Sequence, residues 1–156
     1  MQNKITRWGV GPKFVLISVI YGMTILILNF TYFSSLRFLL IDKWVNIIIG
    51  TILILIGVPV FLLPAITIDK YFYKNKLCTT GVYSFIRHPI YGAWISFIVP
   101  GIVIIIGSYI GITVPIFMYI VFKILIPKEE KYLEKKFGDE YIEYKKKVGE
   151  IFPKLF

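Results

Sequence analysis

Two short stretches of this 156-residue chain hold most of the side chains that could do chemistry. The first runs Lys76-Leu77-Cys78-Thr79-Thr80-Gly81-Val82-Tyr83 and, after three intervening residues, Arg87-His88-Pro89-Ile90-Tyr91. The second opens Pro127-Lys128-Glu129-Glu130. Arg87 brings a fixed cation and His88 an imidazole that donates, accepts or titrates. Pro89 fixes its own φ, biases His88 to extended backbone and predicts a helix that begins just after it. Arg87 and His88 then stand at a helix mouth, where free amide groups face any bound anion. Glu129 and Glu130 are adjacent carboxylates at the end of a long apolar run. They can favour a helix dipole or receive a cation.

The same inventory excludes other chemistries. Cys78 is the one cysteine and His88 the one histidine, so no intramolecular disulfide is possible. A structural zinc site wants about four Cys or His ligands, and no metal is expected. Gly9-Val10-Gly11 is a lone Gly-x-Gly without a preceding strand, which does not support a dinucleotide site. No serine elbow accompanies His88 for a hydrolase triad. The net charge of +9 could suit a nucleic acid. The basic residues instead border long apolar runs, so a membrane surface or an anionic small molecule is the expected counter-charge, with no nucleic-acid partner.

The elements that must position these residues are membrane helices. Apolar and aromatic residues make up 57% of the chain and charged residues 17%, with a mean hydropathy of +0.75. Soluble domains carry about 25% charged residues. A crossing helix needs roughly 20 apolar residues. Residues 14–33 and 45–68 qualify, with Pro59 and Pro64 predicted to kink or thin the second. Residues 92–126 carry one charge, Lys123. As a single helix they would run about 52 Å against a core of about 30 Å. A hairpin turning at Gly107-Ser108-Tyr109 is therefore predicted, with spans 92–107 and 109–126.

After these spans, Leu133, Phe137, Tyr141, Tyr144 and Val148 recur at helical spacing. They predict an amphipathic helix within a tail covering 127–156, its other face suited to anionic lipid. The expected fold is thus all-α: one polytopic membrane domain over 1–156, with about four transmembrane helices and a C-terminal amphipathic cytoplasmic helix. The first apolar run is too long for a cleaved signal peptide and lacks a small-x-small site after it.

Charge predicts the orientation. Sixteen Lys and Arg residues flank one end of the spans, while Arg37 and Lys43 alone flank the other. Both termini and the loop 69–91 are expected in the cytoplasm, with the plasma membrane as the location. The hairpin also has a geometric consequence: its two ends lie close, so His88 and Glu130 can meet across it.

At these segments the chain resembles the isoprenylcysteine carboxyl methyltransferase and phospholipid methyltransferase superfamily. The resemblance covers Leu77 to Pro153. A Leu-x-x-x-Gly-x-Tyr segment leads into Arg-His-Pro-x-Tyr and an apolar hairpin. Glu-Glu-x-x-Leu-x-x-x-Phe-Gly-x-x-Tyr-x-x-Tyr follows, from Glu129 to Tyr144.

The resemblance implies methyl transfer from S-adenosylmethionine to a lipophilic acceptor at the cytoplasmic face. It implies cofactor contacts at Lys76, Leu77, Cys78, Tyr83, His88, Pro89, Tyr91 and Glu130, and catalytic roles for Arg87 and Glu129. Isoprenylcysteine methyltransferases carry an arginine about one turn before the second glutamate, where this chain has Ile126. Lysine at 123 or 128 lacks arginine's bidentate geometry. The acceptor is open between a prenylcysteine carboxylate, a phospholipid amine, a thiol and another amphiphile. Two other functions compete: a non-catalytic protein that binds lipid or a partner, and a nicotinamide-dependent membrane reductase.

Overall fold

The computed structural model describes residues 9–33 and 42–154. Lys4, Arg7 and Arg37, which entered the orientation argument, lie outside the described residues, as do tail positions 155 and 156. Among the described residues six α-helices carry the fold: α1 (Gly11–Thr31), α2 (Lys43–Tyr73), α3 (Pro89–Ala93), α4 (Val99–Ile106), α5 (Thr113–Phe137) and α6 (Asp139–Lys147). A π-helical turn, Trp94–Ile98, joins α3 to α4 into one rod. The protein is an all-α membrane protein. Among the described residues four helical stretches are long and apolar enough to cross a bilayer: Gly11–Thr31, Lys43–Tyr71, Pro89–Ile106 and Ile110–Phe137.

The α3–α4 rod and α5 form the centre, with α1 packed on α5 and α2 on the rod. Outward faces are apolar and bare, as at Leu16, Leu55 and Ile124, each more than 60% exposed. In lipid these side chains are solvated by acyl tails, so helix association must rest on packing and polar contacts instead. Glycine supplies the packing. A Cβ on Gly50 would meet the Gly101 carbonyl at 2.5 Å, and one on Gly101 would meet the Gly50 carbonyl at 2.7 Å. α2 and α4 therefore cross backbone to backbone. At the α1–α5 contact, Tyr21 stacks on Phe117 with centroids 3.9 Å apart and bonds Thr113 through its hydroxyl.

The π turn follows from Pro100. Its ring cannot donate a backbone hydrogen bond and crowds the carbonyl four residues back. The Val99 N–H accordingly bonds the Trp94 carbonyl, one residue further than in an α-helix. The hairpin turns at Gly107, which caps α4 in the left-handed region with φ 69°. Ser108 fixes the turn by donating to Asn29 Oδ1 at 2.7 Å and accepting from the Gly111 N–H at 2.9 Å.

Helix ends depart from the sequence expectation in two places. α2 runs through Pro59 and Pro64 and continues to Tyr73, beyond Ile68. α5 contains Pro127 and ends at Phe137, so the tail segment begins as a continuation of the last span. The break falls at Gly138, whose φ of 56° suits glycine, and α6 starts there. Expected outcome: Gly101→Ala, whose methyl has no room against Gly50, costs about 1–3 kcal/mol. Thermal unfolding in detergent checks it.

Candidate active site

The loop between α2 and α3 is shaped by short-range bonds. Gly81 takes φ 62° and opens a 3-10 turn, Gly81–Ser84, closed by Ser84 Oγ donating to the Gly81 carbonyl at 2.6 Å. The Tyr71 and Thr80 hydroxyls bond at 2.9 Å and tie the loop to the end of α2. The chain after α6 then lies alongside it. The Arg87 N–H donates to the Gly149 carbonyl at 2.8 Å and the His88 N–H to the Glu150 carbonyl at 2.9 Å, a short parallel bridge. The Tyr144 hydroxyl donates to the Tyr83 carbonyl at 2.6 Å.

Side-chain charges lock the same three segments together. Arg87 donates through Nε and Nη2 to Glu130 Oε1, at 3.1 and 2.9 Å. Its Nη1 donates to the carbonyls of Lys145 and Val148. Glu130 Oε2 takes Lys145 Nζ at 2.7 Å, and His88 Nε2 lies 3.4 Å from Oε1. Arg87 and Glu130 side chains are each 8% exposed. A buried pair of this kind stays charged because every charge has partners.

Glu129 faces differently. Its Oε2 accepts the Val10 N–H at 2.8 Å and the Tyr91 hydroxyl at 3.2 Å, and His88 Nδ1 lies 3.7 Å from its Oε1. The imidazole thus stands between the two carboxylates. It is also walled by aromatic rings, with Phe122 at 5.7 Å and Tyr91 at 6.0 Å between centroids.

These groups border a cavity of about 150 Å³ at the polar end of the bundle. Lys76, Leu77, Cys78, Tyr83, Arg87, His88, Pro89, Tyr91 and Glu129 all line it. Glu130 is not among the lining residues; it sits behind the wall, bound to Arg87 and Lys145. Further lining comes from Gly9, Ile68, Ile90, Tyr132 and Lys136, and from Leu133, Phe137, Tyr141 and Tyr144. The last four are the apolar face read in the tail. Their spacing announced a packed stripe without saying what it packs on. Gly9 belongs to the Gly-x-Gly dismissed as a nucleotide motif, and only the fold brings it to the cavity.

Burial sets the protonation of the wall. It pushes the Cys78 thiol up, against hydrogen bonding to Thr80 that pulls it down, and it pushes the Tyr83 and Tyr144 phenols above their usual range. All three are neutral at physiological pH, so they shape and donate. Among the described residues no cluster of three or more His, Cys, Asp or Glu could hold a metal ion.

Expected outcome: Arg87→Met leaves the buried Glu130 carboxylate without its main partner and costs about 3–5 kcal/mol. Thermal unfolding and faster proteolysis of the 77–88 loop, both in detergent, check it.

Comparison with known proteins agrees with this architecture. The phospholipid methyltransferase family matches residues 44–140, from the start of α2 into α6. A probable protein-S-isoprenylcysteine O-methyltransferase of Oryza sativa subsp. indica is 25% identical over 92% of this chain and 89% of its own length. Protein-S-isoprenylcysteine O-methyltransferase B of Arabidopsis thaliana is 34% identical over 51% of this chain and 40% of its own. The Homo sapiens protein-S-isoprenylcysteine O-methyltransferase is 35% identical over 51% of this chain and 28% of its own. The matched region holds both charged motifs and the apolar hairpin between them, and the chain belongs to the phospholipid methyltransferase family of membrane methyltransferases.

Proposed function

We propose that this protein transfers a methyl group from S-adenosylmethionine to a lipidic or amphiphilic acceptor at the cytoplasmic face of the membrane. The observation that carries the reading is one cavity with an apolar, aromatic side and a charged side, lined from both motifs. The sixteen-to-two distribution of basic residues supports the cytoplasmic side, and with it cytoplasmic termini.

The lining fits such a donor. Leu77, Leu133 and Phe137, with Tyr141 and Tyr144, make an apolar cluster beside the cavity that suits a purine. Glu129 offers a carboxylate for an ammonium group, and Lys76, Lys136 and Arg87 offer cations for a carboxylate. S-Adenosylmethionine supplies a methyl group on a sulfonium, which leaves readily and needs no metal or covalent enzyme intermediate. The protein's part is placement and dryness. Neutral Tyr83 and Cys78, with Leu77, exclude water from one wall. His88 is held between Glu129 and Glu130, and Tyr91 and Val10 hold Glu129. Within this reading Glu129 faces the donor, while Glu130 contributes at one remove by fixing Arg87 and His88.

The acceptor enters from the bilayer side. Ile126 is 1% exposed and packed with Phe14, Tyr91 and Phe122, so it offers no charge to a substrate carboxylate. Lys123 is paired with Glu150 at 2.7 Å. Both facts favour an acceptor held through its apolar tail, phospholipid-like as readily as prenylcysteine-like.

The test is uptake of S-adenosylhomocysteine by the purified protein in nanodiscs, followed by labelled methyl transfer into a lipid extract. Binding is expected, with Glu129→Ala weakening it about tenfold or more, the worth of a charge-assisted contact. No uptake by the wild-type protein in any detergent or nanodisc overturns the donor reading. In a companion measurement, Cys78 is expected to alkylate slowly in the folded protein and more slowly still with S-adenosylhomocysteine present.

A further inference from the structure

One part of the cavity rim is built by backbone that belongs to neither charged motif and lies before residues 44–140. Gly9 lines the cavity, and the Val10 N–H donates to Glu129 Oε2 at 2.8 Å. Gly9 has φ 54°, and a Cβ built on it would overlap the Glu129 carboxylate. The carboxylate therefore occupies the space that any other residue at position 9 would fill. Phe14, one turn further along α1, meets Tyr91 edge-on at 5.1 Å and is 3% exposed. That contact fixes α1 against the second residue that donates to Glu129.

We infer that the Gly9-Val10 turn is a positioning element of the methyl-donor site, acting through Glu129. The inference rests on the donor reading above. Two neutral donors, the Val10 amide and the Tyr91 hydroxyl, share Oε2 and fix the carboxylate's direction without cancelling its charge. Among the described residues Oε1 accepts no hydrogen bond and has His88 Nδ1 at 3.7 Å, which leaves this oxygen for a ligand's ammonium group. The simpler account has Glu129 as an acidic cap on the amino end of α1. A cap needs only negative charge near the amides, and a carboxylate shifted by an ångström still provides it. Binding a cation in a defined place does not tolerate that shift.

The two accounts separate in one set of measurements. S-Adenosylhomocysteine affinity and thermal unfolding are compared for the wild type, Gly9→Ala, Glu129→Ala and the double variant, in one detergent. Gly22→Ala serves as the α1 control, because its Cβ would sit at an ordinary 3.7 Å from Val114. Gly9→Ala is expected to weaken binding about tenfold or more with the control unchanged. With Glu129 truncated, the new methyl has room, so Gly9→Ala is expected to add less than about twofold. Where Glu129→Ala binds too weakly to compare, unfolding decides: the shift caused by Gly9→Ala should shrink in that background to what a side chain at positive φ costs by itself. Wild-type affinity in Gly9→Ala overturns the inference, as does an equal loss in both backgrounds. A wild-type protein that takes up no S-adenosylhomocysteine removes the donor reading, and this inference with it.

Discussion

The site depends on one buried carboxylate. Glu130 gathers Arg87 from the loop, Lys145 from α6 and His88 from the mouth of α3. It adds a fixed point of charge to the apolar contact that Leu77, Leu133 and Phe137 make with Tyr141, Tyr144 and Val148. Arg87 extends the same logic into the backbone, where its Nη1 takes the carbonyls that end α6. A buried ion pair is a weak source of net stability, but it is demanding about geometry. It fixes where the loop crosses the tail, and the parallel bridge from Ile86 to Gly149 follows from that crossing. The cavity is the space left between the parts so joined.

The bundle underneath serves this arrangement by being rigid where it is narrow. Close approach of α2 and α4 at Gly50 and Gly101 holds the α3–α4 rod, and the rod carries His88, Pro89 and Tyr91 at its start. The shift of register before Pro100 rotates the first part of the rod relative to the rest. α5 then reaches the polar end without a break, so Phe122, Ile126 and Glu129 belong to one continuous helix. A ligand bound against Glu129 therefore rests on a span, while one bound against Leu77 or Cys78 rests on the stapled loop.

Much of this was legible from residue types. Apolar run lengths gave the spans, Gly107 the hairpin, and the hairpin the meeting of His88 with Glu130. Two features were not. The tail stripe of Leu133, Phe137, Tyr141 and Tyr144 looks the same in sequence whether it lies on lipid or on a loop, because periodicity reports a packed face and not its partner. Gly9 carried no signal at all, since its role arises from a residue 120 positions later. Pro127 misled in the other direction: a proline after an apolar run reads as a boundary, yet α5 continues through it. Membership of a methyltransferase family also answers the competing non-catalytic and reductase readings, which composition alone left standing.

Adjacent glutamates on a helix cannot do the same work. Successive residues are about 100° apart around the axis, so a helix edge that turns Glu130 toward Arg87 and Lys145 must turn Glu129 elsewhere. Here it turns toward the cavity, the Tyr91 hydroxyl and the Val10 amide. Among the described residues His88 approaches both, at 3.7 Å and 3.4 Å. The Glu-Glu pair thus divides its work: Glu130 joins the loop to the tail, Glu129 faces the cavity, and His88 lies between the two.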